Sequence, residues 1–210
     1  VKQVLNYYLP DEEAHFSELL TTAGQYQKPI RDLALSKVKN FNVSIDIGAN
    51  LGIWSKVLES KFKNNFAIEP FEEHINYLKL NAPHTQVFQY AVSNVLNESK
   101  IKMIKEPFDE NCGMSMIAIE GNTEVNCISL DLLADKHNLP PADFIKIDVE
   151  FHELQVLQGA EKYIKSSWPV LVIEHKKRSP VIDLLKSWGY YTDKNLRIKD
   201  DYIYIREEQK

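Results

Sequence analysis

Apolar residues recur along this chain with two periods. Near the start the spacing is helical: Phe16, Leu19, Leu20 and Ala23 form one stripe, Asp11-Glu12-Glu13 after Pro10 supply an acidic first turn, and Gly24 is a stop. Pro29 opens a second helix with Ile30, Leu33, Ala34 and Val38 on one face. Residues 1–40 therefore read as a short helical extension, and residues 41–210 as the main domain. From Val43 the pattern alternates. Short apolar runs at 43–47, 66–69 and 87–92 are separated by helical stretches at 54–61 and 72–80, the rhythm of parallel βαβ units. Residues 99–128 break it, with Ile101, Met103, Met114, Met116, Val125 and Cys127 suggesting short antiparallel strands. After a helix near Ser129, the alternation resumes: a strand at 144–148, a helix over 151–165, a strand at 170–174 and a helix over 181–188 ending at Gly189. Leu196-Arg197-Ile198 and residues 202–205 form a closing hairpin around Asp200-Asp201. The expected class is α/β, a doubly wound, mostly parallel sheet with a C-terminal antiparallel hairpin.

Composition narrows the functions. At 210 residues the chain is long enough to bury one good core. Its net charge of −5, with basic clusters no longer than Lys176-Lys177-Arg178, argues against a nucleic-acid partner. No leader pattern and no apolar run of about 18 residues is present, so no membrane span is expected. Cys112 and Cys127 have no metal-ligand or disulfide spacing, which suits a reducing, cytoplasmic setting. No metal site is expected, and the oligomeric state is left open.

Three constellations carry chemistry. Asp46-Ile47-Gly48-Ala49-Asn50-Leu51-Gly52 sits at a strand-to-helix turn, where glycines admit a ligand close to the backbone. Its G-x-x-x-G spacing lacks the fingerprint that cradles a pyrophosphate, and Asp46 suits a ligand with an ammonium group and no phosphate. S-adenosylmethionine (SAM) is such a ligand. Glu69 ends the next strand and can accept ribose hydroxyls. Asp148 and Glu150 end the fourth parallel strand, and Glu174, followed by His175, the fifth. All reach the rim where open α/β sheets bind ligands.

Taken in order, these residues resemble the FkbM-type methyltransferases, which have a Rossmann-like fold. The family's D-x-G-A-N-x-G loop is matched by Asp46 to Gly52, its E-P by Glu69-Pro70, and its A-V-S by Ala91-Val92-Ser93. Ser129-Leu130-Asp131, Lys146 to Glu153, Leu157-Gln158-Gly159-Ala160 and Glu174 continue the pattern. The resemblance spans residues 43 to 188. It implies transfer of the SAM methyl group to a hydroxyl of a small-molecule or glycan acceptor, such as a sugar or secondary metabolite. It also implies cofactor-binding roles for Asp46, Gly48, Asn50, Gly52, Glu69, Pro70, Ala91, Ser93 and Asp148. Asp148 is the first candidate to orient or deprotonate the acceptor, and His152, Glu174 and His175 are alternative bases. Phe71, Trp54 and Tyr90 are candidates for the adenine pocket, and Tyr26, Arg31 and residues 105–118 for its cover. One departure stands out: Phe151 occupies the position where the family has glycine after Asp-Val-Glu. A positive φ there requires strain or another loop path. An NAD-dependent oxidoreductase, a catalytically silent SAM-binding module and an N-methyltransferase are the competing readings.

Overall fold

The computed structural model describes residues 1–22, 26–109 and 111–207; the expected stripe member Ala23 and helix stop Gly24 lie outside them. In chain order the strands are β1 (Lys2–Val4), β2 (Tyr7–Leu9), β3 (Val43–Ile47), β4 (Asn64–Ile68), β5 (Gln86–Phe88), β6 (Ala91–Val92), β7 (Ser99–Ile104), β8 (Met116–Ile117), β9 (Thr123–Ile128), β10 (Phe144–Ile147), β11 (Val170–Glu174), β12 (Tyr190–Tyr191), β13 (Arg197–Ile198) and β14 (Asp201–Arg206). The helices are α1 (His15–Thr22), α2 (Lys28–Leu35), α3 (Ile53–Glu59), α4 (Glu72–Asn81), α5 (Leu130–His137), α6 (Glu153–Gln158), α7 (Glu161–Ser167) and α8 (Val181–Ser187). None is long and apolar enough to cross a membrane.

The main sheet runs β12-β14-β11-β10-β3-β4-β5, with β13 added beside β14. Strands β11, β10, β3, β4 and β5 are parallel, and β14 is antiparallel to β11. Strand parity explains the layering, because successive side chains point to opposite faces. Ile45, Ile47, Ile145, Ile147, Leu171 and Ile173 face one way and pack against α5 to α8. Phe144, Val170, Val172 and Ile203 face the other way, against α2 and α3. Chain order reverses between β3 and β10, the place where such sheets open a ligand crevice.

Four expectations are corrected. Residues 1–40 are not all helical: Lys2–Leu9 form a two-stranded hairpin. Its buried Tyr7 and Leu9 pack with Phe16, Leu20, Leu51 and Ile53, and Asn81 bonds Tyr8 through both backbone groups. Burial against the domain outweighs local helical preference here. Asp11-Glu12-Glu13 also precede α1 rather than form its first turn. The Glu13 carboxylate instead accepts the N–H groups of Phe16 (2.5 Å) and Ser17 (3.0 Å), capping the helix. The helix expected over 151–165 is broken into α6 and α7 at Gly159. A Cβ there would lie 2.2 Å from the Ser93 carbonyl oxygen, so the chain breaks where two backbones touch.

The run at 87–92 likewise splits. β5 stays in the main sheet, while β6 pairs with β9 in a second sheet of order β6-β9-β7-β8. That sheet carries the insert read from residues 99–128. The closing hairpin is present as β13 and β14, with Asp201 inside the second strand.

Candidate active site

Two clefts open at the reversal point and share a wall. The first, of about 1140 Å³ with its open mouth, is lined by the loop from Gly48 to Leu51, by Glu69 to Phe71, and by Tyr90 to Val92. His15, Phe16 and Tyr26 from the N-terminal segment cover it, with residues 111–115 of the insert. The second, of about 960 Å³, lies beyond the ends of β10 and β11. Asp148, Glu150 and Glu174 line both.

The glycine loop is shaped by contact with β10. Gly48 has φ +75°, and a Cβ on it would sit 1.8 Å from the Asp148 carbonyl oxygen, so only glycine fits. Asn50 also takes a left-handed φ of +48°. This turns its backbone N–H onto Glu69 Oε2 at 2.9 Å. The other Glu69 oxygen accepts from Phe71 N at 3.2 Å and faces His74 Nδ1 at 3.2 Å. Glu69 is thus fixed before any ligand arrives, with lone pairs left over. His74 is buried, and its Nε2 has no hydrogen-bond partner.

Parity assembles the charged wall. Asp46 and Lys146 are register partners on β3 and β10, and Glu174 and Asp201 on β11 and β14. The Lys146 ammonium lies 3.1 Å from Asp148 and 3.6 Å from Asp46. Burial alone would lower its pKa; Asp148 and Asp46 outweigh that and hold it above the ordinary lysine range. Asp46 is fully buried, which raises its pKa against the pull of Lys146 and of the Ser55 hydroxyl, a donor at 2.6 Å. Glu150 is pushed up to about 7 by burial and by Asp148 and Glu174. Burial also moves Glu153 to about 7, and burial with Glu174 and Asp148 does the same to Asp201. Glu174 is raised by burial and Asp148. Tyr26 above them is held protonated by burial and by these carboxylates.

Of the residues singled out in the sequence, Gly48, Asn50, Glu69, Pro70, Ala91, Asp148 and Glu174 line the first cleft. Asp46 and Gly52 lie behind the loop, Asp46 beneath Lys146 and Gly52 as the left-handed residue before α3. Two candidates go elsewhere: the Ser93 hydroxyl and His152 Nε2 bond each other at 2.8 Å, and neither lines a cleft. His175 lines the second cleft with both ring nitrogens in use. Nδ1 donates to the Lys176 carbonyl oxygen (2.9 Å), so Nε2 accepts from the Tyr204 hydroxyl (2.8 Å). Trp54, Phe71 and Tyr90 all line the first cleft, as does Tyr26, whereas Arg31 does not. Sequence reasoning missed Glu153, Asp201 and His74 as neighbours of this site. Only the register of β14 beside β11 brings Asp201 here, and no local motif announces it.

A doubly wound sheet with a glycine loop, a fixed acidic residue on the next strand and a carboxylate wall at the reversal point defines a Rossmann-like fold. Comparison with known proteins narrows this. The methyltransferase FkbM domain model matches residues 46–191, and the chain belongs to that family. It is 30% identical, over 84% of its length and 75% of the relative's, to the hexuronic acid methyltransferase AglP of Haloferax volcanii. Among solved structures, methyltransferase FkbM from Methylobacillus flagellatus KT superposes with a TM-score of 0.52 at 21% identity, covering 78% of this chain. This chain spans only 43% of that protein's length. A TehB-like SAM-dependent methyltransferase from Corynebacterium glutamicum gives 0.53 at 10% identity, over 92% of this chain and 95% of its own. Both likenesses show a shared Rossmann-like fold.

Proposed function

We propose that this protein transfers the methyl group of SAM to a hydroxyl oxygen of a sugar. The observation that carries the proposal is the wall of Asp148, Glu150 and Glu174 shared by the two clefts, one suited to a nucleoside cofactor and the other open for an acceptor. Family membership and the sugar-methylating relative support the same reaction class.

The residues fit SAM. Among the described residues lining the first cleft, Lys146 is the only lysine or arginine, and it is engaged by Asp46 and Asp148. No basic cradle for a pyrophosphate is present among them, which weighs against a dinucleotide. Gly48, Ala49 and Asn50 would hold the amino-acid end, Glu69 the ribose hydroxyls, and Pro70, Phe71 and Ala91 the base. When bound, SAM would supply an electrophilic methyl group on a cationic sulfonium, S-adenosylhomocysteine being the leaving group, and the residues of the shared wall would hold the acceptor hydroxyl in line and take its proton. Glu150, at about 7, is matched to receive that proton near neutral pH. Asp148, paired with Lys146, would orient the hydroxyl.

Calorimetry with SAM, S-adenosylhomocysteine (SAH) and NADH tests the cofactor half. Micromolar binding of the first two and none of NADH is expected; the reverse pattern refutes the proposal. Incubation of labelled SAM with a panel of glycosides tests the transfer, which alkali-stable incorporation into the glycan would reveal.

A further inference from the structure

Glu150 and Phe151 are consecutive residues in the left-handed region, with φ +49° and +67°. A bulky side chain in that conformation is strained where glycine is not. Phe151 is also 62% exposed, on the rim of the second cleft. Scattered exposed apolar residues are ordinary, and Leu96 and Ile119 are more exposed still. Phe151 differs from them because its backbone conformation opposes a side chain and its ring stands beside the shared carboxylate wall. Strain of this kind persists where the surrounding structure holds it, and it clusters at sites that bind ligands. The same lining holds Gln155, whose side-chain oxygen is buried without a hydrogen-bond partner.

We propose that Phe151 is the platform on which the acceptor ring stacks in the second cleft, and that this acceptor is a neutral pyranose rather than a uronate. The proposal rests on the methyltransferase reading above and adds the acceptor's place and charge. A pyranose has an apolar C–H face that buries against an aromatic ring, and an edge of hydroxyls that donate to carboxylates. Glu150 and Glu174 lie on the side of the cleft shared with the cofactor, where such hydroxyls would point. Charge decides between neutral and acidic sugars. Asp148, Glu150, Glu153, Glu174 and Asp200 face the cleft; Lys146 pairs with Asp148 at 3.1 Å and Lys176 with Asp200 at 2.9 Å, which leaves Glu150, Glu153 and Glu174 against Arg178. A sugar carboxylate would enter a net negative field. The expected acceptor thus differs in charge from the hexuronic acid named for the Haloferax relative.

Saturation-transfer NMR on the full chain with SAH bound tests this, using methyl α-D-glucopyranoside and its uronate as probes. Wild-type protein should saturate the glucoside ring C–H protons and bind the uronate about fivefold more weakly at pH 7.5. Phe151→Gly should weaken glucoside binding about tenfold, the loss of partial burial against one ring, while Phe151→Trp retains it. SAH affinity of Phe151→Gly should stay within about twofold of wild type, with a melting temperature equal or higher. Unchanged glucoside binding by Phe151→Gly overturns the platform, and uronate binding as tight as glucoside overturns the charge argument. If wild-type protein with SAH bound takes up neither sugar, the pyranose assignment fails and the cofactor reading stands. If it does not bind SAH at all, the underlying reading fails instead.

Discussion

Replacing Lys146 by methionine tests the electrostatic heart of the site. Methionine keeps an unbranched stem of similar length where the lysine runs beside Trp54, but removes the cation between Asp46 and Asp148. At 3.1 and 3.6 Å each attraction is worth about 5 kcal/mol at an effective dielectric near 20, before desolvation is charged against it. Removing one partner of a buried ion pair costs about 3–5 kcal/mol net, because the remaining charge is stranded. Asp148 keeps 18% of its side chain exposed and can turn toward solvent, so most of the loss falls on Asp46, which has 0%. We expect about 3 kcal/mol at pH 8, a fall in melting temperature of about 6–12 °C for a domain of this size. The loss should shrink at pH 5.5. Burial already raises the Asp46 pKa, and without Lys146 it rises further, so the stranded carboxylate takes up a proton and its penalty disappears. Urea unfolding of the ligand-free protein at both pH values measures this. Asp46→Asn in the Lys146→Met background should recover most of the stability at pH 8. A loss under about 1 kcal/mol at pH 8, or an equal loss at both pH values, would refute the reasoning.

Other consequences follow from the same wall. Glu150→Gln should lower kcat by about 10²–10⁴ and remove the rise in rate through pH 7 that its deprotonation gives wild type, read from a pH–rate profile. Glu150, Glu153 and Asp201 have folded-state pKa values of about 7, raised above their unfolded values. Their contribution to stability is therefore fully present below the unfolded carboxylate range and is lost as pH rises through 7, so urea midpoints of the ligand-free protein should fall from pH 5 to 8. As the same groups ionise, the cationic SAM should gain affinity relative to neutral SAH between pH 6 and 8; titrations giving a constant ratio would contradict the charge assignment. His152→Ala should cost about 1 kcal/mol of stability through the lost Ser93 bond yet keep kcat within about threefold, a balance that steady-state kinetics and thermal melts can check.

Much of this site was readable because it is built from strand ends. Glu69, Asp148 and Glu174 each close a short apolar run, and parallel strands deliver such ends to one rim whatever the detailed packing, while Asp46 sits one residue inside β3. Features that depend on contact between distant segments were not readable. Tyr7 and Leu9 lie near a helical pattern and gave no sign of a hairpin until burial against Leu51 and Ile53 was seen. The helix stripe over Leu154, Leu157, Ala160 and Ile164 is continuous in sequence, but the carbonyl of Ser93 presses on Gly159 and divides it. The surroundings of the histidines were not readable for a related reason. A ring nitrogen at a rim resembles a base until its partners are known, and Ser93 and Tyr204 come from other strands and loops.

Position 151 shows how sequence and geometry combine. The family pattern supplies only a mismatch, a phenylalanine where glycine is usual. The backbone supplies only an unfavourable angle, φ +67°. Together they place a phenylalanine in a backbone conformation that glycine adopts more readily. The reason lies with its neighbours. Val149 is packed against the core, Glu153 is buried at the start of α6, and the Asp148 carbonyl is pressed against Gly48. Moving the loop would disturb the contact that shapes the glycine turn. The strain, about 1–2 kcal/mol for a left-handed non-glycine residue, is the smaller cost. A residue held under these conditions at the mouth of a cleft is placed to touch what enters it.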